Sequence, residues 1–190
     1  MSLTNLHFLS FLATVIAACF ILPHRLRNPI LLAASLNFYW SWNFWTMAVL
    51  AFSVVSSYVL AIFIEEAKAD SPWRGKVLFV ISIILQVTLL CLFKYLTPLE
   101  LGNFSLVMPS GLSFYSFQII AALSDVYTGK ARAERNLIDG TLFVSFFSKI
   151  IEEPIERTDF LVQLKQPPTF RWEVFRLGAV QFLWGIFKLL

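Results

Sequence analysis

The chain has 190 residues, of which 58% are hydrophobic, 16% are aromatic and only 14% are charged, with a net charge of +3. A soluble globular domain averages roughly 45–50% apolar and about 25% charged residues, and a soluble fold of this size buries only about 70% of its unfolded surface. The composition therefore excludes a soluble enzyme and a nucleic-acid-binding domain, and it indicates an integral membrane protein.

The first half of the chain predicts three membrane helices. A spanning helix needs about 20 mostly apolar residues, and 3–22 supplies the first. No charged residue lies between Pro29 and Ile64, but one helix of that length would extend about 54 Å, well beyond a bilayer core of about 30 Å. We therefore predict a break at 41–43, between a short helix over 29–40 and a longer one over 44–64.

The second half predicts further segments. Two helices, over 77–96 and 109–128, flank a polar loop, and a final apolar run covers 174–190. The segment 137–151 is too short for an ordinary span. The prediction is one all-α, polytopic membrane domain over 1–190, with about six membrane segments including a short or re-entrant one.

The distribution of Lys and Arg predicts the orientation, because cytoplasmic loops are enriched in these residues. With the N-terminus outside, all the basic residues between the first five predicted helices fall in inner loops, and the outer loops hold none. If 137–151 crossed the membrane, Arg157, Lys165 and Arg171 would lie outside. A re-entrant hairpin keeps them inside, and such backbone requires surrounding protein or a water-filled cavity.

Polar residues on the fifth predicted helix form a candidate functional stripe. Tyr115, Gln118, Ala122 and Asp125 are spaced three, four and three residues apart, which places them on one helical face. Such a stripe can line a hydrated tunnel. Ser, Gln and Tyr side chains also join neighbouring helices by hydrogen bonds, and the pattern leaves both interpretations open.

Residues 152–157 have the pattern of an acidic helix start with Pro154 in the first turn. Arg157 beside a cavity mouth could hold a phosphate-bearing donor, although a solvated loop helix accounts for the same pattern. Neither His7 nor His24 has an evident partner, and both cysteines lie inside apolar runs. The pattern indicates no catalytic residue and no metal site.

Two motif-bearing runs, MPSGLSFYSFQIIAALSDVYTGKARAERNLID at 108–139 and LFVSFFSKIIEEPIER at 142–157, resemble the membrane-bound O-acyltransferase family. Within it they are most similar to the alginate O-acetylation branch, whose pattern has Pro-x-Gly-Ile-Ser-Phe-Tyr-Thr-Phe-Gln, Asp-Val-Tyr-Arg-Gly, Phe-Phe-Pro and Gly-Pro-Ile-Glu-Arg elements. The segments at 22–40 and 92–96 also resemble this branch, so the resemblance covers nearly the whole chain.

The resemblance implies the N-terminal portion of an enzyme that transfers an acyl group, expected to be acetyl, from a cytoplasmic donor such as acyl-CoA to a hydroxyl of an extracytoplasmic polysaccharide. It implies candidate tunnel or donor-mouth positions at Tyr115, Gln118, Asp125, Glu156 and Arg157. The catalytic histidine of the family lies further along its members, and neither His7 nor His24 corresponds to it. The chain alone is therefore expected to be inactive and to hold no bound cofactor.

The chain departs from the family pattern at several positions. Ser148-Lys149 replaces Pro-Gln, and Glu152-Glu153 replaces a small Ala-Gly pair. Thr128 stands where Arg is usual, and Ala122 lies near a usual Tyr. Two added carboxylates at a cavity mouth would repel an anionic donor.

The alternative function is a non-catalytic membrane partner subunit or one half of a split enzyme, and a transporter is a third possibility. The expected location is the bacterial inner membrane, with the N-terminus outside. The expected partners are the lipid bilayer and a C-terminal half or other polysaccharide-modification proteins, and no nucleic acid.

Overall fold

A computed structural model describes residues 6–40, 44–96, 109, 111–147, 162 and 171–189. These residues include seven α-helices, and the described part of the chain contains no strand. The helices are α1 (Leu6–Ile21), α2 (His24–Trp40), α3 (Phe44–Asp70), α4 (Pro72–Leu96), α5 (Leu112–Thr128), α6 (Leu137–Ser145) and α7 (Trp172–Leu189). The predicted all-α fold class is confirmed for this part.

Two helices, α3 and α4, are long and apolar enough to cross a membrane by length and composition. With 27 and 25 residues, they extend about 40 and 37 Å at 1.5 Å per residue. The helices α1, α2 and α5 have only 16 or 17 residues. The expected total of about six membrane segments therefore stays a prediction.

Several helices extend beyond their apolar runs. The helix α2 begins at His24, five residues before the expected start, and contains Pro29. The first four N–H groups of a helix have no intrahelical partner. Pro29 follows shortly after them as the sixth residue of α2, so its missing N–H removes one backbone hydrogen bond near the start of the helix. The helix α3 continues six residues past Ile64, since charged side chains such as Glu65 and Lys68 are good helix formers that can reach water from a helix end.

A tight corner joins α3 to α4 through the single residue Ser71. Pro72 occupies the first position of α4, where its missing N–H and fixed φ are favourable. A Cβ atom at Gly75 would lie 2.9 Å from the Cβ and 3.0 Å from the Cα of Lys68. Gly75 therefore allows the beginning of α4 to pack directly against the end of α3.

One end of the bundle gathers charged side chains from several helices, and we call it the charged end. Arg135, between α5 and α6, contacts Glu66 at 3.0 Å and Glu65 at 3.2 Å, both on α3. Lys68 donates a hydrogen bond from Nζ to the carbonyl oxygen of Tyr127 on α5. These contacts hold the ends of α3 and α5 and the approach to α6 together.

The helix α6 enters the bundle from the charged end and runs beside α2 in the same direction. The Nδ2 of Asn28 on α2 donates to Asp139 Oδ1 at 2.8 Å. Seven residues further along α2, the Ser35 hydroxyl accepts from the backbone N–H of Phe147 at 3.3 Å. The chain thus reaches a depth of about 10 Å beside α2 between these two contacts.

The interior location of α6 accounts for its sequence. Leu142 and Phe143 are buried, and the Phe147 ring lies 5.3 Å from that of Phe11 and 6.1 Å from that of Phe38. Asn136 caps the helix by accepting the backbone N–H of Ile138. The described residues thus show α6 running inward beside α2, and the re-entrant hairpin over 137–151 stays a prediction because 148–151 lies outside the described residues.

Candidate functional site

A cavity of about 60 Å³ lies between α3, α5 and α6. Its walls are mostly apolar and are completed by Ser57, Tyr58 and Gly140. The apolar lining residues are Val54, Ala61, Ile119, Ala122, Leu123, Val126, Phe143 and Val144. At the charged end the cavity is bounded by Arg132 and Glu134 from the loop between α5 and α6. An apolar pocket with a few polar groups at its mouth is the usual form of a small-molecule site.

The loop at the mouth is held in place by its own polar groups. Gly129 adopts the left-handed conformation with φ of 83° and caps α5, a conformation that glycine adopts without steric cost. The Tyr58 hydroxyl donates to the carbonyl oxygen of Arg135 at 2.7 Å. The Glu134 carboxylate accepts the backbone N–H of Asn136 at 3.0 Å. The mouth therefore has a defined shape.

The two arginines of this loop differ in whether the guanidinium group is already held in ion pairs. Arg135 donates to both Glu66 and Glu65, and the hydrogen bond to Glu66 raises the pKa of its guanidinium above the usual range. Arg132 is exposed beside the cavity and makes no ion pair with any described residue. Arg132 is consequently the guanidinium that a phosphate or carboxylate at the mouth could engage.

The predicted stripe on α5 divides between different environments. Ala122 lines the cavity, whereas Gln118 donates from Nε2 to the carbonyl oxygen of Phe143 at 2.9 Å and so joins α5 to α6. Asp125 is buried near the charged end, and Tyr115 is buried beyond the cavity. The roles proposed for these residues in donor binding stay predictions, and Glu156 and Arg157 lie outside the described residues.

The cavity face of α5 is rotated from the predicted stripe. Its residues are Ile119, Ala122, Leu123 and Val126, which are apolar. The predicted stripe consists mainly of polar residues, but Gln118 forms a hydrogen bond between α5 and α6. The sequence pattern alone leaves open which polar side chains face a cavity and which join helices, because both lie on buried faces.

Three buried hydroxyls lie outside the cavity lining, and we call Tyr39, Ser53 and Tyr115 the hydroxyl cluster. They come from α2, α3 and α5, and only 0%, 0% and 2% of their surfaces are exposed. The Tyr115 hydroxyl lies within hydrogen-bonding reach of Ser53 and within electrostatic range of Tyr39. None of the three forms a hydrogen bond of normal geometry with a described residue.

Two residues near the hydroxyl cluster in the sequence line the cavity. Val54 lines the cavity and follows Ser53 directly on α3, while Ile119 lines it one helical turn from Tyr115 on α5. One turn corresponds to about 5.4 Å along the axis. Ser116 and Gln86 also have buried polar atoms without a partner among the described residues. Within the described part of the chain, several buried polar side-chain atoms thus have no hydrogen-bond partner.

Sequence reasoning did not identify Tyr39 and Ser53 as candidate residues. Both lie in the long uncharged run, where Ser and Tyr occur among many apolar neighbours. The available signal was that buried polar groups in a membrane interior require partners. This general requirement does not reveal that Tyr39 on α2 and Ser53 on α3, 14 positions apart, both lie near Tyr115 on α5.

Three curated relatives illustrate what the chain is similar to. It is 29% identical to "Probable alginate O-acetylase AlgI" of Azotobacter vinelandii, over 97% of this chain and 40% of that protein. It is 28% identical to the protein of the same name from Pseudomonas aeruginosa, over 97% of this chain and 38% of that protein. It is also 28% identical to a peptidoglycan O-acetyltransferase of Helicobacter pylori, over 97% of this chain and 43% of that protein.

No family model matches the chain, and no solved structure matches it. The curated relatives nevertheless confirm the resemblance drawn from the motifs at 108–139 and 142–157. The chain spans about two-fifths of the length of these relatives. The chain is thus similar to bacterial O-acetyltransferases of the alginate O-acetylase type, and it contains two helices of membrane-spanning length and composition.

Proposed function

We propose that the chain forms the donor-binding part of a membrane O-acetyltransferase that modifies a polysaccharide outside the cytoplasm. The observation that carries this proposal is the match over 97% of the chain to relatives named for O-acetylation of alginate and of peptidoglycan. Both names describe the addition of an acetyl group to an oxygen atom of a polymer. The same matches favour this function over a non-catalytic partner subunit.

In the proposed reaction, acyl-CoA supplies the acetyl group from the cytoplasm. The acetyl carbon–sulfur bond breaks and a carbon–oxygen bond forms to the acceptor hydroxyl. The hydroxyl proton leaves by way of a general base, and the CoA thiol is released. The general base is assigned to protein outside this chain, supplied by the remaining part of a longer protein or by a separate polysaccharide-modification protein.

The proposed orientation places the charged end at the cytoplasm and the N-terminus outside, in the bacterial inner membrane with about six membrane segments. The charged end contains Lys68, Arg132 and Arg135, and cytoplasmic loops are enriched in such residues. The cavity mouth then faces the compartment that contains acyl-CoA. Arg132 is the proposed contact for a donor phosphate, with Glu156 and Arg157 as further mouth residues.

The test is equilibrium binding of acetyl-CoA to the chain in lipid nanodiscs. We expect Arg132→Gln to weaken binding about tenfold, since charge-assisted hydrogen bonds to phosphate contribute roughly 1.5 kcal/mol or more. Lys130→Gln is the matched control, because it removes one positive charge two residues away from a side chain that does not line the cavity.

The possible outcomes distinguish the role of Arg132 from the donor-binding function of the whole chain. If both substitutions weaken binding equally, and the loss disappears at high salt, Arg132 acts only through net charge and its assignment is wrong. If acetyl-CoA binds the chain no better than it binds empty nanodiscs, this chain does not form the donor site. Binding that depends on Arg132 and not on Lys130 supports the proposal.

A further inference from the structure

Gly140 is a glycine that the backbone conformation does not require. It lies inside α6, where its backbone N–H donates to the carbonyl oxygen of Asn136 at 3.0 Å in a regular helical hydrogen bond. Among the described glycines, the left-handed conformation is adopted by Gly111 and Gly129 and not by Gly140. Within a helix, glycine is less favourable than alanine because its backbone loses more conformational entropy on folding. The glycine at this position therefore needs another explanation.

Close packing does not require it either, because the space beside Gly140 can hold a methyl group. A Cβ atom there would lie 3.4 Å from Cδ2 of Tyr58 and 3.8 Å from Cγ of Glu134, which are ordinary contact distances. At Gly75, by contrast, the same atom would lie 2.9 Å from the Cβ of Lys68. Tyr58, Glu134 and Gly140 all line the cavity between α3, α5 and α6. The missing side chain of Gly140 thus leaves open a part of this cavity near its mouth.

The size and the polarity of the cavity restrict what can enter it. The cavity encloses about 60 Å³, whereas an apolar protein cavity of about 150 Å³ holds one benzene molecule. By that measure this cavity has room for about two or three non-hydrogen atoms. The hydroxyl of Ser57 donates to the carbonyl oxygen of Val54 at 2.9 Å, and that of Tyr58 donates to Arg135 at 2.7 Å. Because both hydroxyl protons are already used, the cavity suits a small alkyl group.

We propose that Gly140 is a specificity-determining residue, whose missing side chain lets the cavity accept an acetyl group, while the cavity volume excludes longer acyl chains. This inference rests on the proposed function, in which Arg132 at the mouth contacts a phosphate of the donor. The acetyl methyl packs between the apolar walls, which include Ala122 and Val144. An acyl chain with two more carbon atoms exceeds the available volume and stays outside the cavity.

The test compares the affinities of acetyl-CoA, butyryl-CoA and free CoA for the chain in lipid nanodiscs, with empty nanodiscs as the blank. Acetyl-CoA and free CoA differ only in the acetyl group, so the ratio of their affinities isolates that group. A loss of folded protein affects both measurements equally. We expect the wild-type chain to prefer acetyl-CoA to free CoA about fourfold, which corresponds to one buried methyl-sized group. It should bind butyryl-CoA no more tightly than free CoA.

Gly140→Ala fills the open part of the cavity with one methyl group. It should remove most of the preference for acetyl-CoA over free CoA. Since alanine favours the helix and its Cβ causes no overlap, the variant should fold as well as the wild type. Gly178→Ala on α7 is the matched control, because nothing lies within 4 Å of its Cβ position and it does not line the cavity. Its preference for acetyl-CoA should equal that of the wild type.

Val144→Ala makes the opposite change, because it removes two methyl groups from the cavity wall. The wider cavity should accept the longer chain, so this variant should bind butyryl-CoA about fourfold more tightly than free CoA. This second variant tests the volume limit independently of Gly140.

Each outcome decides the proposal. An acetyl-CoA preference that is the same in Gly140→Ala and the wild type would overturn this inference, and so would equal binding of acetyl-CoA and butyryl-CoA by the wild type. Acetyl-CoA would still bind in both cases, and the proposed function would stand. Failure of the wild-type chain to bind acetyl-CoA would overturn both. A preference that is lost in Gly140→Ala and kept in Gly178→Ala supports the role of Gly140.

Discussion

The charged end and the hydroxyl cluster differ in whether their polar groups have hydrogen-bond partners. At the charged end, Arg135 is bound by two carboxylates and Lys68 by a backbone carbonyl. In the hydroxyl cluster, Tyr39, Ser53 and Tyr115 form no hydrogen bond of normal geometry with a described residue. Satisfied polar groups indicate a structural role, whereas buried polar groups without a protein partner are usually completed by ordered water, an ion or a ligand.

The largest effect is expected at Asp139, which anchors α6 near the charged end. Its carboxylate accepts from Asn28 at 2.8 Å and from Asn136 at 3.0 Å. Asp139→Ala removes both acceptors and should lower the free energy of unfolding by about 3 kcal/mol, because hydrogen bonds to charged groups contribute roughly 1.5–3 kcal/mol each. Denaturant unfolding in detergent micelles measures this change.

Asp139→Asn is the control for that prediction. It keeps the shape and one acceptor oxygen, and its amide can donate to the Asn28 Oδ1, which has no partner among the described residues. The loss of stability should be less than half of that for Asp139→Ala. Equal losses for both variants would show that the negative charge, rather than the hydrogen bonds, anchors α6.

The next effect concerns Gly75 at the corner between α3 and α4. An alanine Cβ would lie 2.9 Å from the Cβ of Lys68 and 3.0 Å from its backbone Cα, so the helices must separate. Gly75→Ala should destabilise the chain by about 2 kcal/mol, within the usual range for overpacking. Gly178→Ala on α7 is the matched control, since nothing lies within 4 Å of its Cβ position, and thermal unfolding compares the two.

The smallest effect separates two of the buried polar residues of α5, Gln118 and Tyr115. Gln118→Leu removes the hydrogen bond to the Phe143 carbonyl and should lower stability by about 1 kcal/mol. Tyr115→Phe, without ligand, should change stability by less than about 0.5 kcal/mol because no hydrogen bond is lost. A large loss for Tyr115→Phe in the same unfolding assay would show that its hydroxyl already has a structural partner.

Much of the architecture could be predicted from the sequence because it depends on local composition and on chain connectivity. The uncharged run from Pro29 to Ile64 is too long for one span, and the structure has separate helices before 41 and after 43. Gly129 follows the last residue of α5 in the left-handed conformation. The motif at 108–139 also led to the family resemblance that the relatives confirm.

The helix boundaries were less predictable. The apolar runs predicted ends at Ile64 and a start at Pro29, but α3 reaches Asp70 and α2 begins at His24. Hydrophobicity reports where a helix meets an apolar environment, whereas backbone hydrogen bonding continues beyond that boundary. The charge pattern suggested that 137–151 enters from the side of the basic loops, and the path of α6 beside α2 fits that entry for the described arm.

The sequence by itself determined the all-α class, the approximate positions of the helices and the resemblance to O-acetyltransferases, because composition, spacing and motifs are properties of the chain alone. Only the tertiary structure decided which polar side chains are used in packing and which are left free. Gln118 and Tyr115 lie three residues apart on α5, yet one bonds Phe143 and the other meets Tyr39 and Ser53. That difference depends on which neighbouring helix each side chain faces, and it requires the packed arrangement of α2, α3, α5 and α6.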